Sequence, residues 1–247
     1  MPTLLRDLRL GVRLLLKAPA FTTIAMLALA LSIGANTAMF GISNSVLLRP
    51  LPYPDPGTLM QVQTVQLATR TPIGSSPPDF YALRDDQQSF SGVAAFYGRS
   101  GILTGGDQAE RIRLSVVSAD LFRILGVTPV LRRAFDRSDE AWGSHRRALL
   151  TDAFWHSRFG ADPGVLEKAI TLGGEQYVVV GVLPALFRWL DRDVQLFVPM
   201  AIEPGDNLNS HNNYFLNVIG RRGPITSEQA RLEVQASEQT TWHSSSW

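Results

Sequence analysis

Cysteine is absent from all 247 positions of this chain. Its absence excludes disulfide bonds, thiolate catalysis and cysteine-ligated zinc or iron–sulfur sites, and it permits export without requiring it. A dominant charge is also missing, because 23 lysines and arginines stand against 22 aspartates and glutamates. Since no overall field would attract nucleic acid, we expect no nucleic-acid partner. With 45% hydrophobic and 18% charged residues, the composition is typical of a folded protein with a buried core.

The signatures of common catalytic sites are missing as well. No glycine is followed by Lys-Ser or Lys-Thr, so the chain lacks a phosphate-binding loop and should not hydrolyse ATP itself. The four histidines show neither zinc-ligand spacing nor the helical pair of a metalloprotease, and no Gly-x-Ser-x-Gly elbow occurs. We therefore expect no enzyme activity, no catalytic residues, no bound metal and no cofactor.

Neighbouring carboxylates are the remaining candidates for acid/base chemistry. They are Asp85-Asp86, Asp139-Glu140, and Asp191 with Asp193. We interpret each pair as part of a solvated loop or a helix end. Arginines and aromatic residues at 146–147 and 187–189 are of types enriched at recognition hot spots. Ordinary packing and surface placement account for them, and we assign no site there.

A membrane helix is predicted near the N-terminus. Residues 18–48 form a run of 31 uncharged residues between Lys17 and Arg49. As a helix the run would extend about 46 Å against a hydrocarbon thickness of about 30 Å, so it must tilt or protrude. We favour protrusion, because the second half carries polar residues such as Asn36 and Asn44 and because prolines follow at 50, 52, 54 and 56. The prediction assigns residues 18–49 to a transmembrane helix and stalk.

Basic residues before the span set its orientation. Arg6, Arg9, Arg13 and Lys17 precede the span, whereas only Arg49 follows closely, which places the N-terminus in the cytoplasm. Leucines and a valine occupy the other side of the same segment. Residues 1–17 are therefore predicted to form a basic amphipathic helix on the inner leaflet, held to anionic lipid headgroups, with a solvated linker as the alternative.

A cleaved signal peptide is the alternative to an uncleaved anchor. Ala28-Leu29-Ala30 has the composition of a cleavage site, and cleavage there would make the chain a secreted soluble protein. The apolar region of a signal peptide normally spans about 7–15 residues. Because apolar residues continue well past Ala30, we favour the anchor.

Small residues repeat along the predicted span at intervals of three and four. They are Ala30, Gly34, Ala38, Gly41 and Ser45. Such a stripe permits the close approach of a second helix, which another chain or segment would supply. Small residues are also common in membrane helices in general, so the stripe admits either interpretation.

The region after the prolines is predicted to be a mixed domain. Alternation of apolar and polar residues predicts strands, and glycine pairs at 105–106 and 173–174 are typical of hairpin turns rather than phosphate cradles. The predicted strands lie at 93–97, 102–104, 112–116, 147–150, 168–172, 176–182, 196–199 and 214–221.

Capping signals predict the helices of this region. Ser76, followed by two prolines, starts one helix. Ser118 starts a second helix that Gly126 ends, and Thr151 starts a third that Gly160 ends. The fold class is therefore α+β: one long N-terminal transmembrane helix followed by a mixed α/β extracytoplasmic domain at 50–238. Capping-box spacing at 226 and 229 predicts a last helix, and residues 239–247 are predicted to be an unstructured tail.

Several stretches, taken in order, resemble the MacB-like periplasmic core domain of FtsX-type ABC transporter permeases. They are the basic helix around Leu5 to Leu10, LALALSIGANTAMF ending at Phe40, VLLRPLPYPDP (46–56), SPPDF (76–80), LTGG (103–106), VSADLFRILG (117–126), FWHSRFGADP (154–163) and YVVVGVLP (177–184). The resemblance covers nearly the whole chain.

The resemblance implies a permease subunit in the bacterial plasma (inner) membrane, with its exported domain in the periplasm or outside the cell. It implies a dimer with a second permease chain and a separate ABC ATPase subunit, whose movements the exported domain receives. Members of the family carry further membrane helices after this domain, whereas no second apolar run occurs here. We therefore expect the N-terminal part of a permease, a truncated product or a fragment. The alternative is a single-pass, membrane-tethered periplasmic binding or adaptor module without transport activity.

Overall fold

The structure is a computed structural model that describes residues 17–47, 53–66, 71–86, 90–105 and 109–223. It comprises two compact units, Met1–Leu51 and Pro52–Trp247. Several sequence predictions lie outside the described residues. They are the basic positions Arg6, Arg9 and Arg13, the capping box at 226–229, and the tail 239–247.

In the first unit, helix α1 spans Pro19–Leu47, so the predicted segment is helical. At its start the hydroxyl of Thr23 donates a hydrogen bond to the carbonyl oxygen of Pro19 at 2.9 Å. The large apolar side chains described between positions 24 and 33 are 59% to 78% exposed. In the described part of the chain, no helix was found with the length and apolarity that crossing a bilayer requires. The membrane crossing therefore stays a prediction.

Strands form most of the regular secondary structure described in the second unit. They are β1 Leu59–Val62, β2 Thr64–Gln66, β3 Thr71–Ile73, β4 Phe90–Thr104, β5 Glu110–Val117, β6 Leu131–Arg132, β7 Arg147–Leu150, β8 Ala169–Leu172, β9 Glu175–Val182, β10 Val194–Pro199 and β11 Asn217–Arg222. The helices are α2 Pro77–Asp86, α3 Leu121–Leu125 and α4 Asp152–Phe159, with short 3₁₀ turns at Pro56–Thr58, Arg137–Glu140 and Pro163–Val165. This mixture confirms the α+β class.

Six strands of the main sheet close into a ring. Each pairs with the next in the order β4, β5, β10, β7, β9 and β8, and β8 returns to β4. The 15-residue strand β4 makes this closure possible by its length. Its first half pairs with β11, and its last two residues pair with β8. Strand β1 extends the sheet beyond β11, and β6 pairs with β9.

Alternate residues of the ring strands belong to two apolar clusters. In β10, Leu196 and Val198 belong to the larger cluster, whereas Phe197 belongs to the smaller one together with Phe122 of α3. This division follows from the strand geometry, because successive side chains point to opposite faces. The alternating pattern predicted for β5 is confirmed, since Ile112, Leu114 and Val116 are all buried in the larger cluster.

Local capping signals predicted the ends of two helices correctly. The hydroxyl of Thr151 accepts a hydrogen bond from the backbone N–H of Phe154 at the start of α4. Gly160 ends α4 with φ of 60°, and Gly126 ends α3 with φ of 68°. Both values lie in the left-handed region that favours glycine. Helix α2 begins at Pro77, as the Ser-Pro-Pro pattern predicts.

Two local predictions were wrong. Strands 93–97 and 102–104 are parts of the single strand β4, because β5 pairs with it continuously from Phe96 to Leu103. Ser118 does not cap α3. It is fully buried, and its hydroxyl accepts a hydrogen bond from the backbone N–H of Ala95 at 3.0 Å. The residue before α3 is Asp120, which makes no capping bond with its side chain.

Candidate functional site

One arginine joins the segment that leads into the second unit to the last strand described. Arg221 of β11 donates from Nε to the carbonyl oxygen of Ile124 at 2.6 Å and from Nη2 to that of Pro54 at 2.9 Å. Its Nη1 donates to the hydroxyl of Thr58 at 2.6 Å and to the carbonyl oxygen of Asp55 at 3.3 Å. We call Tyr53–Thr58 together with Arg221 the junction. A single guanidinium thus connects the incoming segment, β11 and the end of α3.

The strands that continue from the junction lead directly to the ring. Strand β1 pairs with β11 from Leu59 opposite Arg221 to Val62 opposite Val218. Strand β11 pairs in turn with the first half of β4, where Val218 lies opposite Ala95. The ladders of β1, β11 and β4 therefore lie side by side in one sheet.

The side chain of Tyr53 makes a further attachment of the incoming segment to the domain. The side chain is 8% exposed, and its hydroxyl donates a hydrogen bond to the carbonyl oxygen of Arg188. Burial raises the pKa of Tyr53 to about 12, so the hydroxyl remains a donor at neutral pH. Pro54 packs closely on Gly126, where an added Cβ would lie 2.8 Å from the Pro54 Cγ. The incoming segment is therefore fixed by packing as well as by hydrogen bonds.

The family profile described as the MacB-like periplasmic core domain matches residues 22–241. This chain belongs to the MacB-like periplasmic core domain family. The resemblance inferred from the ordered motifs is thereby confirmed. A search of curated protein sequences gave no match.

Solved structures share the fold of this MacB-like domain. The periplasmic region of MacB from Actinobacillus actinomycetemcomitans matches with a TM-score of 0.56 and 16% identity, over 74% of this chain and 84% of that one. The extracellular domain of the ABC-type transporter YknZ from Gram-positive bacteria gives 0.51 and 17%, over 71% and 90%. A domain of a Porphyromonas gingivalis protein described as a permease gives 0.57 and 15%, over 76% and 86%. At these identities the likeness establishes the fold.

The MacB-like domain also contains buried ion pairs, which involve the carboxylates of Asp139 and Glu140. Glu140 accepts hydrogen bonds from Nη1 of Arg84 at 2.7 Å and from the backbone N–H of Ala119 at 2.6 Å. The two charged side chains are 11% and 9% exposed. Burial acts to lower the pKa of Arg84, but the hydrogen bond to Glu140 and its negative charge outweigh burial and raise this pKa.

The neighbouring carboxylate of Asp139 is buried too. It is 3% exposed and forms a two-bond ion pair with Arg133, at 2.5 and 3.0 Å. The hydrogen bond to Asp139 raises the pKa of Arg133. Asp139 and Glu140 lie at the end of a 3₁₀ helix, as predicted, but their side chains are buried rather than solvated. Their partners are Arg133, six residues before Asp139, and Arg84, 56 residues before Glu140. Asp191 and Asp193 are exposed, as predicted, and Arg113 lies 3.0 and 4.0 Å from them.

The arginine and aromatic residues at 146–147 and 187–189 take part in ordinary packing and surface contacts, as predicted. Phe187 and Trp189 pack against Phe197 of β10, with ring centroids 5.8 and 5.4 Å apart. Arg146 forms an exposed ion pair with Glu175 at 2.7 Å. Among the residues that the structure describes, no group of three or more histidines, aspartates or glutamates is placed to hold a metal ion.

The residues predicted to contact lipid or a partner helix lie in the first unit. Ala30 and Gly34 are exposed on α1, and no atom lies within 4 Å of a Cβ added at Gly34. Lys17 is exposed. Ala38, Gly41 and Ser45 lie within α1, but their side chains are outside the described set. These assignments stay predictions. No local pattern identifies Arg221 and Tyr53, because their hydrogen-bond partners are 97 to 167 residues away along the chain.

Proposed function

We propose that this chain acts in a permease subunit of a bacterial ABC-type export system, and that its junction carries ATPase-driven movement to the periplasmic domain. The observation that carries the proposal is Arg221. Arg221 belongs to β11, and its guanidinium binds the incoming segment and the end of α3. Movement of either end is then shared by both ends and passes through β11 to β4.

The proposal includes a membrane anchor and two partners. Helix α1 is the anchor, and its exposed apolar side chains support this role because a bilayer would cover them. The basic residues up to Lys17 orient the N-terminus to the cytoplasm of the inner membrane. A separate ABC ATPase subunit and a second permease chain are the partners. The chain itself performs no catalysis in this proposal.

Anchoring and partnership are tested on the full chain in bacterial membranes. We expect the chain to remain in the membrane pellet after alkaline carbonate extraction and to co-purify with an ABC ATPase subunit in mild detergent. Release by carbonate would contradict the anchor. A stable, saturable ligand-binding chain without any ATPase would favour the tethered binding or adaptor module instead.

Transmission through the junction is tested with a fluorescent reporter on the ring. The chain has no cysteine, so Ile102→Cys on β4 gives one labelling site, at a side chain that is 53% exposed. In the purified complex, ATP should change the fluorescence of this label. Arg221→Met should abolish the change, whereas Arg222→Met, the neighbouring substitution, should retain it. An unchanged response with Arg221→Met would contradict transmission through the junction.

A further inference from the structure

The segment between β9 and β10 presents two leucines to solvent. We call residues 184–193 the 184–193 loop. Leu186 is 81% exposed, more than any other large apolar side chain in the described residues, and Leu190 is 65% exposed. Their neighbours Phe187 and Trp189 point the other way, into the smaller apolar cluster. The outward positions at 186, 188, 190 and 192 are therefore Leu, Arg, Leu and Arg.

The leucines are held outward by a rigid base. Trp189 contacts Phe96 edge-on, with ring centroids 4.9 Å apart. Phe187 lies 6.0 Å from Phe122 by the same measure, and the hydroxyl of Tyr53 binds the carbonyl oxygen between the two inward aromatics. Turning Leu186 or Leu190 inward would require removing these rings from the cluster. Their exposure is thus built into the loop, and a large exposed apolar side chain on a fixed base favours a binding surface.

A basic groove adjoins the end of this loop. Its volume is about 540 Å³, and Arg111, Arg113 and Arg192 line it together with the polar side chains of Thr151, Ser157 and Gln195. Together with Arg188 of the loop, this surface carries four arginines and two aspartates, Asp191 and Asp193. Arg113 pairs with Asp191 at 3.0 Å. The surface therefore combines exposed apolar groups with an excess of positive charge. This combination matches the interface of an anionic bilayer.

The position of the loop in the chain fits the same partner. Tyr53, which holds the loop at Arg188, follows the last residue of α1 by only six positions. In the proposed function α1 is anchored in the bilayer. The loop is thus tied to the residues of the second unit that stand nearest to that anchor in the chain.

We propose that the 184–193 loop binds an anionic bilayer surface, with Leu186 and Leu190 entering the interface and the arginines of the basic groove facing lipid phosphates. This inference rests on the proposed anchoring of α1. Such a contact would give the periplasmic domain a second, reversible attachment to the membrane, in addition to its covalent link to helix α1.

The test uses the full chain reconstituted into vesicles that contain phosphatidylglycerol. Single-cysteine variants Leu186→Cys and Leu190→Cys carry a polarity-sensitive fluorophore, and spin-labelled lipids serve as quenchers. The matched control is Ile102→Cys, whose side chain is also exposed but lies on β4. We expect about threefold stronger quenching at 186 and 190 than at 102, since only interfacial side chains approach the lipid quenchers. Arg111→Gln with Arg192→Gln should lower this quenching, as should replacing phosphatidylglycerol by phosphatidylcholine.

Other outcomes separate failure of this inference from failure of the anchor. Equal quenching at 186, 190 and 102 in protein that resists carbonate extraction would overturn the loop contact and leave the anchor intact. A blue-shifted signal that lipid quenchers do not reach, and that grows with protein density in the vesicles, would assign the loop to a second copy of the chain. Release of the chain by carbonate would overturn both proposals.

Discussion

Two arginines of this domain, Arg84 and Arg221, lie in opposite electrostatic environments. Arg84 lies in the interior and pairs with the buried carboxylate of Glu140. Arg221 is half-buried, and its four acceptors are neutral carbonyl and hydroxyl oxygens. A buried charge without its partner is very costly, so the first arrangement is effectively fixed. The bonds of Arg221 exchange with water at a lower cost, which suits a contact that must yield when the domain moves.

The largest expected effect comes from breaking the buried pair. Glu140→Gln removes the buried partner of Arg84 and leaves only the exposed carboxylate of Asp85, 3.6 Å away. This change should lower the free energy of unfolding by about 3–5 kcal/mol. The control is Glu175→Gln, which removes an exposed partner of Arg146 and should cost about 0–1 kcal/mol. Urea denaturation followed by tryptophan fluorescence measures both. Equal losses would contradict the distinction between buried and exposed pairs in this domain.

The packing of Pro54 at the junction is tested at Gly126. Gly126→Ala forces an alanine into the left-handed region of φ and places its Cβ 2.8 Å from the Cγ of Pro54. We expect the free energy of unfolding to fall by about 3 kcal/mol. Gly160→Ala has a similar φ, but nothing lies within 4 Å of its Cβ, so only the backbone cost of about 1–2 kcal/mol should remain. Thermal unfolding of the two variants compares these costs. A larger loss at 160 than at 126 would show that Pro54 does not constrain the site.

A smaller effect is expected at Arg221 itself. Arg221→Met removes four hydrogen bonds from a charged donor and should cost about 1.5–3 kcal/mol. Arg222→Met, one position further along, should change stability by less than about 0.5 kcal/mol. Hydrogen exchange should report the local consequence, with faster exchange in β1 for Arg221→Met only. Uniform acceleration across the domain would argue against a local role.

The smallest effect concerns Asp136, an exposed carboxylate beside the buried ion pairs. The hydrogen bond from Ser138 lowers the pKa of Asp136 below its ordinary value of 3.8. A lowered pKa in the folded state contributes stability above the unfolded pKa, and this contribution disappears as the pH falls through the folded pKa. Asp136→Ala should therefore reduce stability more at pH 7 than at pH 2. Urea midpoints at both pH values measure the difference, and an equal loss at pH 2 would contradict it.

Short-range signals predicted well in this chain. Thr151 and Gly160 are nine residues apart and mark the two ends of α4, because the groups that they cap lie in the adjacent turn. The same holds for Pro77 at the start of α2 and for the alternation in β5. Each of these patterns depends on backbone geometry within a few residues, which the local sequence determines.

Long-range contacts produced the errors. Ser118 has a residue type typical of a helix cap, but the backbone of Ala95 occupies its hydroxyl. Asp139 and Glu140 are residue types that usually lie on the surface. Glu140 is nevertheless buried, in an ion pair with Arg84, which lies 56 residues earlier in the chain. Arg221 looked like an ordinary strand end. No local pattern records that Pro54, Asp55 and Thr58 would be its partners, so the junction emerged only from the fold.

The pairing of β1 with β11 has a consequence for how this domain is made. Leu59 and its partner Arg221 are separated along the chain by most of the domain. The first half of β4 also pairs with β11, which is synthesised much later. At about 5–20 residues per second, a ribosome needs roughly 6–25 s to advance from β4 to the end of β11. During that interval these two strands have open backbone edges, which are prone to pairing with other chains. A chaperone that shields extended segments should therefore raise the yield of this domain most when it acts before residue 222 has been synthesised.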